Sequence, residues 1–357
     1  MKQTTKKWTA ALLSGVLALT LAACGSTGSQ SKPADNGQST TGSAGSEQTA
    51  SSNYPEKPIT IVVPADVGGG LDTTARVLAQ TLNNTSLVKQ PVNVENKPGG
   101  GQTTGLTHFI TNDKNNSHKL FLPSTPIVIN YLRKEASSPY SYADMKPLAK
   151  LTNDYGAIVV AANSKYQDLK SLLEDVKQNP QNITFAGGSG PGSMDHLVVM
   201  MLAIEAGIDP TTIKYNSYDS GGPAMVALLG GHAQALTTGI SEAKAYMESG
   251  DVRVLAISAP ERLDGAFKDL PTFKELGYDA EFVNWRGLFG VKDMAPEAVA
   301  YWDQTIKTLA ESEEWKKQLE LNGWEDGYLN SEDFAKFLQE QDAVIKEVLS
   351  KLGMAKE

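Results

Sequence analysis

Two β-branched runs in this chain each end in a cluster of glycines, and from each cluster a helical pattern begins. The first run, Ile59–Val63, leads into Pro64-Ala65-Asp66-Val67-Gly68-Gly69-Gly70-Leu71-Asp72. The second, Ile183–Ala186, leads into Gly187-Gly188-Ser189-Gly190-Pro191-Gly192-Ser193. Glycine lets successive backbone N–H groups converge and lets a ligand approach where a Cβ would block it. A helix start adds unpaired amide donors and a partial positive charge. Such a turn can bind a carboxylate or phosphate without a lysine or arginine. It also lies at the carboxyl end of its strand, where open α/β sheets hold ligands. Each turn alone reads equally well as a plain strand-to-helix connection, with Asp72 and Ser193 as N-caps. Two together favour a ligand held between them.

The remaining pattern repeats the same alternation. Val92–Glu95, Lys119–Leu122, Ile158–Ala161, Ile213–Tyr215, Ala233–Leu236 and Val252–Ile257 read as further strands. Thr73–Leu82, Leu169–Lys177, Met194–Ala206, Pro223–Leu229 and Glu242–Met247 carry helical spacing, and the chain from Pro296 is mostly helical. Alternation of this kind predicts an α/β fold with parallel sheets and helices on both faces. Roughly 300 residues of it exceed one ordinary core and predict two lobes. Residues 54–156 with 283–357 form the first, discontinuous lobe and 157–282 the second, the chain crossing near Gly156 and returning near Val283.

The first fifty residues differ in kind. Lys2, Lys6 and Lys7 precede an apolar run from Ala10 to Ala23, broken only by Ser14, Gly15 and Thr20. Residues 1–23 therefore read as a secretory signal, too short for a permanent span, which takes roughly twenty apolar residues. Leu21-Ala22-Ala23-Cys24-Gly25 resembles the lipobox of bacterial lipoproteins. That resemblance implies that Cys24 is the mature N-terminus and carries acyl chains of the palmitate kind, which anchor the protein to the cell membrane. Residues 24–53 are nearly all Gly, Ser, Thr, Gln, Asn and Ala, a disordered tether. Cys24 is the single cysteine, so an internal disulfide framework and multi-cysteine metal sites are excluded. The net charge of −9 argues against nucleic acid as a partner.

Several enzymatic chemistries fail on spacing. The second turn is not a phosphate-binding P-loop, because no lysine precedes Ser193. It is not a G-x-S-x-G elbow around Ser189, because Pro191 stands where the second glycine belongs. His108, His118, His196 and His232 form no metal-binding pair, and His196 reads as helix-start packing or hydrogen bonding. No metal and no cofactor is expected. A surface hydrolase acting through Ser189 or Ser193 is the rival reading, and an adhesion or scaffold domain without a closing cleft is a third.

With these residues in hand, the chain from about Tyr54 to Gly353 resembles the substrate-binding receptors of tripartite tricarboxylate transporters, the Bug family. The resemblance is carried by Tyr54-Pro55-Glu56-Lys57-Pro58-Ile59, Pro64–Asp72 with Ala75-Arg76, and Val94-Glu95-Asn96-Lys97-Pro98-Gly99-Gly100-Gly101. Further along, Gly187–Ser193 with His196-Leu197, Gly222-Pro223-Ala224-Met225 with Leu228-Leu229-Gly230-Gly231, and Trp285-Arg286-Gly287-Leu288-Phe289 continue it in order. It implies a two-lobed periplasmic-binding-protein fold of type II, with the ligand cleft between lobes. It implies that backbone amides of two loops hold a ligand carboxylate: Ala65, Asp66, Val67, Gly68, Gly69 and Gly70 with Asp72, and Gly188, Ser189, Gly190, Pro191, Gly192 and Ser193. Thr125, Thr237 and Trp285 would complete the pocket. The implied function is a monomeric extracytoplasmic receptor, not an enzyme, that delivers a small organic carboxylate to membrane permease subunits. The chain departs from the family at Ala65, where an aromatic is usual, at Val67, where proline is frequent, and at Ser117-His118, where Asp-Gly is usual. The first two bear on pocket size and ligand identity. Whether a second charged group of the ligand meets a cation such as Arg286 is left open by the residues alone.

Overall fold

Buried β-branched runs become the central strands of this molecule. β1 (Ile59–Val63) has four of its five residues buried and pairs on both edges, parallel to β2 (Val92–Asn96) and to β3 (Lys119–Phe121). A strand flanked on both sides and covered on both faces has no polar face to present, which is why the run is continuously apolar. The computed structural model describes residues 53–135 and 138–356. The expected signal 1–23, Cys24 and all but the last residue of the 24–53 tether lie outside the described residues.

The helices follow the strands. α1 (Gly70–Asn84) buries Leu71, Ala75, Leu78, Ala79 and Leu82 at three- and four-residue spacing. Truncating Leu78 here would cost about 2–5 kcal/mol through lost transfer and an unfilled cavity. α2 (Thr103–Asn112) and α3 (Pro126–Leu132) complete this part, and β4 (Met145–Asn153) runs almost directly into β5 (Gly156–Ala161). Then come α4 (Leu169–Gln178), β6 (Thr184–Gly187), α5 (Met194–Glu205), β7 (Lys214–Ser217), α6 (Gly221–Leu229), β8 (Ala235–Gly239), α7 (Ile240–Glu248) and β9 (Val252–Ile257). After a long loop the chain forms β10 (Arg286–Val291), α8 (Pro296–Glu311), α9 (Glu313–Asn322), β11 (Glu325–Leu329) and α10 (Ser331–Lys351). Asn330 caps α10 by accepting a hydrogen bond from the Asp333 N–H at 2.9 Å. The buried Phe334 of α10 closes an aromatic cluster with Trp285 and Phe289 over the first sheet.

Two sheets result, ordered β11-β4-β10-β3-β1-β2 and β7-β6-β8-β5-β9. β1 lies between β2 and β3, and β6 between β7 and β8, so the carboxyl end of each opens a crevice where the connections diverge. The sheets are mixed, which corrects the expectation of parallel strands throughout. β10 runs antiparallel to β3 and β4, and β5 antiparallel to β8 and β9. The cause is the crossing itself. β5 begins at Gly156, paired with Gly239 at the carboxyl end of β8, and leads away from that end. β10 likewise begins at Arg286, which bridges Ser124 beyond the end of β3. A strand that enters a sheet from its carboxyl side must oppose the strands already there.

The two crossings lie side by side. The Asp154 N–H donates to the Asn284 carbonyl at 3.2 Å and the Asn284 N–H to the Asp154 carbonyl at 2.8 Å, with Tyr155 bridged to Val283. This two-stranded ribbon joins the two sheets.

Candidate functional site

The carboxyl ends of the parallel strands from both sheets face one cavity of about 470 Å³. Helix starts surround it, because each strand that ends there is followed by a helix whose N-terminus points back. Gly69 and Gly70 bring the start of α1. Gly188, Ser189 and Met194 bring that of α5, and Asp219, Ser220 and Gly221 that of α6. Gly239, Glu242 and Asp154 bring that of α7. The turn Pro98-Gly99 with Gly101 and Gln102 comes from the region before α2.

The first glycine loop is built to leave donors free. The first backbone hydrogen bond of α1 runs from the Thr73 N–H to the Gly69 carbonyl at 2.9 Å, so the amides of Gly70 and Leu71 precede the helical ladder. Gly68 takes φ +88°, a left-handed conformation that suits glycine, and donates its N–H to Asp72 Oδ2 at 2.8 Å. Asp72 is buried and also receives Arg76 Nε and Asn96 Nδ2, both at 2.8 Å. Burial opposes its charge, but the Arg76, Gly68 and Asn96 hydrogen bonds outweigh burial and hold its carboxyl below the usual range. Asn96 donates as well to the Ala65 carbonyl at 3.0 Å, so one side chain ties both ends of the loop together.

The second loop spends its donors internally. The Gly192 N–H donates to His196 Nδ1 at 3.1 Å, the Ser193 N–H to the Gly190 carbonyl at 3.0 Å, and the Asp195 N–H to Ser189 Oγ at 3.0 Å. A Cβ on Gly188 would stand 2.3 Å from the Gly221 nitrogen, so glycine is required there by the approach of the α6 start. Burial, and then the charge of Arg133, lower His196 to about 4, so it stays neutral and accepts the Gly192 hydrogen bond. Ser189 has the Asp195 amide, not an imidazole, at its hydroxyl. Arg133 reaches from the end of α3 to donate to the Pro191 carbonyl at 2.6 Å, a contact between the two lobes.

The expected ligand-contact residues divide on inspection. Ala65, Asp66, Gly69, Gly70, Gly188 and Ser189 line the cavity. Val67 is 71% exposed at the loop tip, Gly68 and Asp72 brace the loop from behind, and Gly190, Pro191, Gly192 and Ser193 stand off the cavity wall. Thr125, Thr237 and Trp285 serve the scaffold. The Thr125 hydroxyl donates to the Val283 carbonyl and accepts from the Trp285 N–H, the Thr237 hydroxyl donates to the Asp195 carbonyl, and the Trp285 indole is fully buried among phenylalanines.

Residues without a local signature fill the remaining wall. Asp154 comes from the crossing and accepts from the Ser241 N–H and hydroxyl at 3.2 and 2.7 Å, capping α7. Arg286 opens β10, 6% exposed, its Nη2 3.6 Å from Asp154 Oδ2. Asp195 lies in the first turn of α5 and Glu242 in that of α7. Burial pushes the Asp195 carboxyl up to about 7, helped by the charge of Glu242. Burial raises Glu242 as well, against the hydrogen bond from Thr238. The Gly221-Gly222 pair was a readable signal for the α6 turn. Asp154, Glu242 and Asn284 had none, because the crossing and the second sheet bring them in.

The sequence profile described as the tripartite tricarboxylate transporter family receptor matches residues 74–354. Protein BugT of Bordetella pertussis is 31% identical over 264 residues, 72% of this chain and 78% of its own. The structure of the periplasmic binding protein BugD superposes with a TM-score of 0.71 at 26% identity, covering 85% of this chain and all of that one. MatC from Rhodopseudomonas palustris with bound malate shares the fold, with a TM-score of 0.70 at 23% identity, covering 83% of this chain and all of that one. Among the described residues no helix is long and apolar enough to cross a membrane.

Proposed function

We infer the task of this chain from one premise: it belongs to the tripartite tricarboxylate transporter receptor family. It is a two-lobed receptor that captures a small organic carboxylate and presents it to membrane permease subunits. One observation carries the reading. The free first-turn amides of α1 and the guanidinium of Arg286 face the same cavity of about 470 Å³ between the lobes. Amide donors at a helix start act on a carboxylate in contact, whatever the net charge of the chain. MatC, which shares the fold, was solved with bound malate.

Contacts to ligand fall to Ala65, Asp66, Gly69, Gly70, Gly188 and Ser189, with Val67, Gly68, Asp72 and Gly190–Ser193 shaping the two loops. The lobes comprise residues 54–156 with 283–357, and 157–282, and they close on the ligand about the paired crossings. The protein acts as a monomer, outside the cytoplasm, held to the membrane through acylated Cys24 and lifted from it by residues 24–53. It turns over no substrate.

Titration calorimetry with di- and tricarboxylates, acidic amino acids and aromatic acids tests capture. Folded protein that binds none of them refutes it. For the anchor, the mass of the processed N-terminus reads acylation directly, and Cys24→Ala should release the protein from membranes.

A further inference from the structure

Carboxylates outnumber cations along the cleft. Asp66, Asp154, Asp195, Asp219 and Glu242 line it, against the single guanidinium of Arg286 among the described lining residues. These carboxylates are not equivalent. Asp154 is committed to the start of α7 and lies 3.6 Å from Arg286. Asp72, behind the α1 turn, is neutralised by Arg76 at 2.8 Å, so the positive end of α1 is left for a ligand. Asp195 and Glu242, on the second lobe, have no lysine or arginine within salt-bridge distance among the described residues. Both are held above the ordinary carboxylate range.

Arg286 is the independent sign of an anion. It is 6% exposed, yet its Nε has no partner, its Nη1 reaches only the Asn284 carbonyl at 3.4 Å, and its Nη2 stops 3.6 Å short of Asp154. A guanidinium carries five donors in a fork that fits a carboxylate, and buried donors are rarely left unmatched. The space it faces borders the first residue of α1, since a Cβ on Gly70 would lie 3.5 Å from Nη2.

We propose that this cleft selects amino-carboxylates, holding the carboxylate between Arg286 and the α1 amides and an ammonium group against Asp195 and Glu242. The proposal rests on the receptor reading above and names its ligand class. A dicarboxylate laid across the cleft would set its second carboxylate on the wall that carries Glu242. At an effective dielectric of about 20, a like-charge pair about 5 Å apart lowers affinity on the order of a hundredfold, and an ammonium in its place raises it comparably.

The test is calorimetry on the full-length chain in detergent with ligands paired by skeleton: β-alanine with succinate, 4-aminobutyrate with glutarate, aspartate with succinate, and glutamate with glutarate, each with and without magnesium. In at least one pair the amino partner should bind tenfold or more tighter without magnesium. Glu242→Gln, whose side chain opens onto the cleft, should erase most of that preference while the melting temperature stays. Asp195→Asn should also reduce the preference, and Arg286→Gln should weaken both partners. Tighter binding of the diacids overturns the proposal and leaves the receptor reading intact. Diacid binding that needs magnesium overturns it in favour of a metal–acid complex. No binding of either class by folded protein removes the receptor reading as well.

Discussion

Substituting Gly70 by alanine should separate the stability of the fold from its capacity to bind. Gly70 is the first residue of α1 and has ordinary negative φ, so no backbone strain is introduced. The one atom its new methyl would meet within 4 Å is Arg286 Nη2, at 3.5 Å, which is normal van der Waals contact. Removing a glycine from a compatible helical position stabilises by about 0.4–1 kcal/mol, largely through the unfolded chain. The same methyl occupies the space between the α1 amides and the guanidinium, where a ligand carboxylate must sit. Hydrogen bonds to a charged group are worth about 1.5–3 kcal/mol each, so losing one should weaken binding roughly tenfold to a hundredfold. Calorimetry gives the affinity and differential scanning the melting temperature. Gly222→Ala, on α6 with nothing within 4 Å of its Cβ, is the matched control and should leave binding alone. A Gly70→Ala protein that melts at or above the wild-type temperature and binds as the wild type does would refute the placement of the carboxylate. A parallel loss of both would mean the glycine serves the fold.

Other consequences can be measured on the same preparations. Asp195, raised to about 7, keeps a proton that the unfolded chain gives up near pH 4; stability from that proton is complete below about pH 4 and is lost as pH rises through 7. Urea midpoints should therefore fall between pH 5 and pH 8, and Asp195→Asn should flatten that slope. His196, held down to about 4, has the opposite sign: its contribution is present above about pH 6.5 and is lost as pH falls towards 4. In the Asp195→Asn background, midpoints should drop from pH 7 to pH 4.5, and less steeply once His196→Asn is added. Asp72→Ala removes the acceptor of three hydrogen bonds and should destabilise by about 1–3 kcal/mol in chemical denaturation, with loss of ligand affinity as the first loop loosens. Arg133→Ala breaks the contact to the Pro191 carbonyl between the lobes and should weaken ligand binding severalfold without changing the denaturation midpoint by more than about 1 kcal/mol.

The sequence made the inner strands legible because their burial is written as β-branched runs. Ile59–Val63 and Val252–Ile257 coincide residue for residue with β1 and β9. β4 was hidden by its composition: Lys146, Pro147 and Lys150 break the apolar pattern. Pro147 is nevertheless accommodated beside a register shift opposite Phe289, and Lys150 stacks its ammonium on the Phe337 ring at 4.1 Å. β10 and β11 were hidden because no local pattern says that a strand is antiparallel or that the return crossing ends in a sheet. At the site, glycine spacing identified the turns after β1 and β6, since backbone requirements are local. Thr125, Thr237 and Trp285 drew attention by their neighbours in sequence, but each is turned inward by a hydrogen bond or an aromatic packing that only the fold supplies. Arg286 and Glu242 line one cavity from β10 and α7, a relation that no spacing encodes.

The paired crossings at Asp154 and Asn284 also fix where movement can be small. Any rotation that closes the lobes must pivot on this ribbon, since the chain joins them there twice in adjacent strands. Arg286 follows Asn284 by two residues, close to the fulcrum, and Gly70 at the start of α1 lies beside its guanidinium. A swing of the lobes therefore displaces the guanidinium less than groups farther from the ribbon. The cation stands at nearly the same place in the open and closed receptor, a fixed post on which an arriving acid can be moored before the gate swings shut.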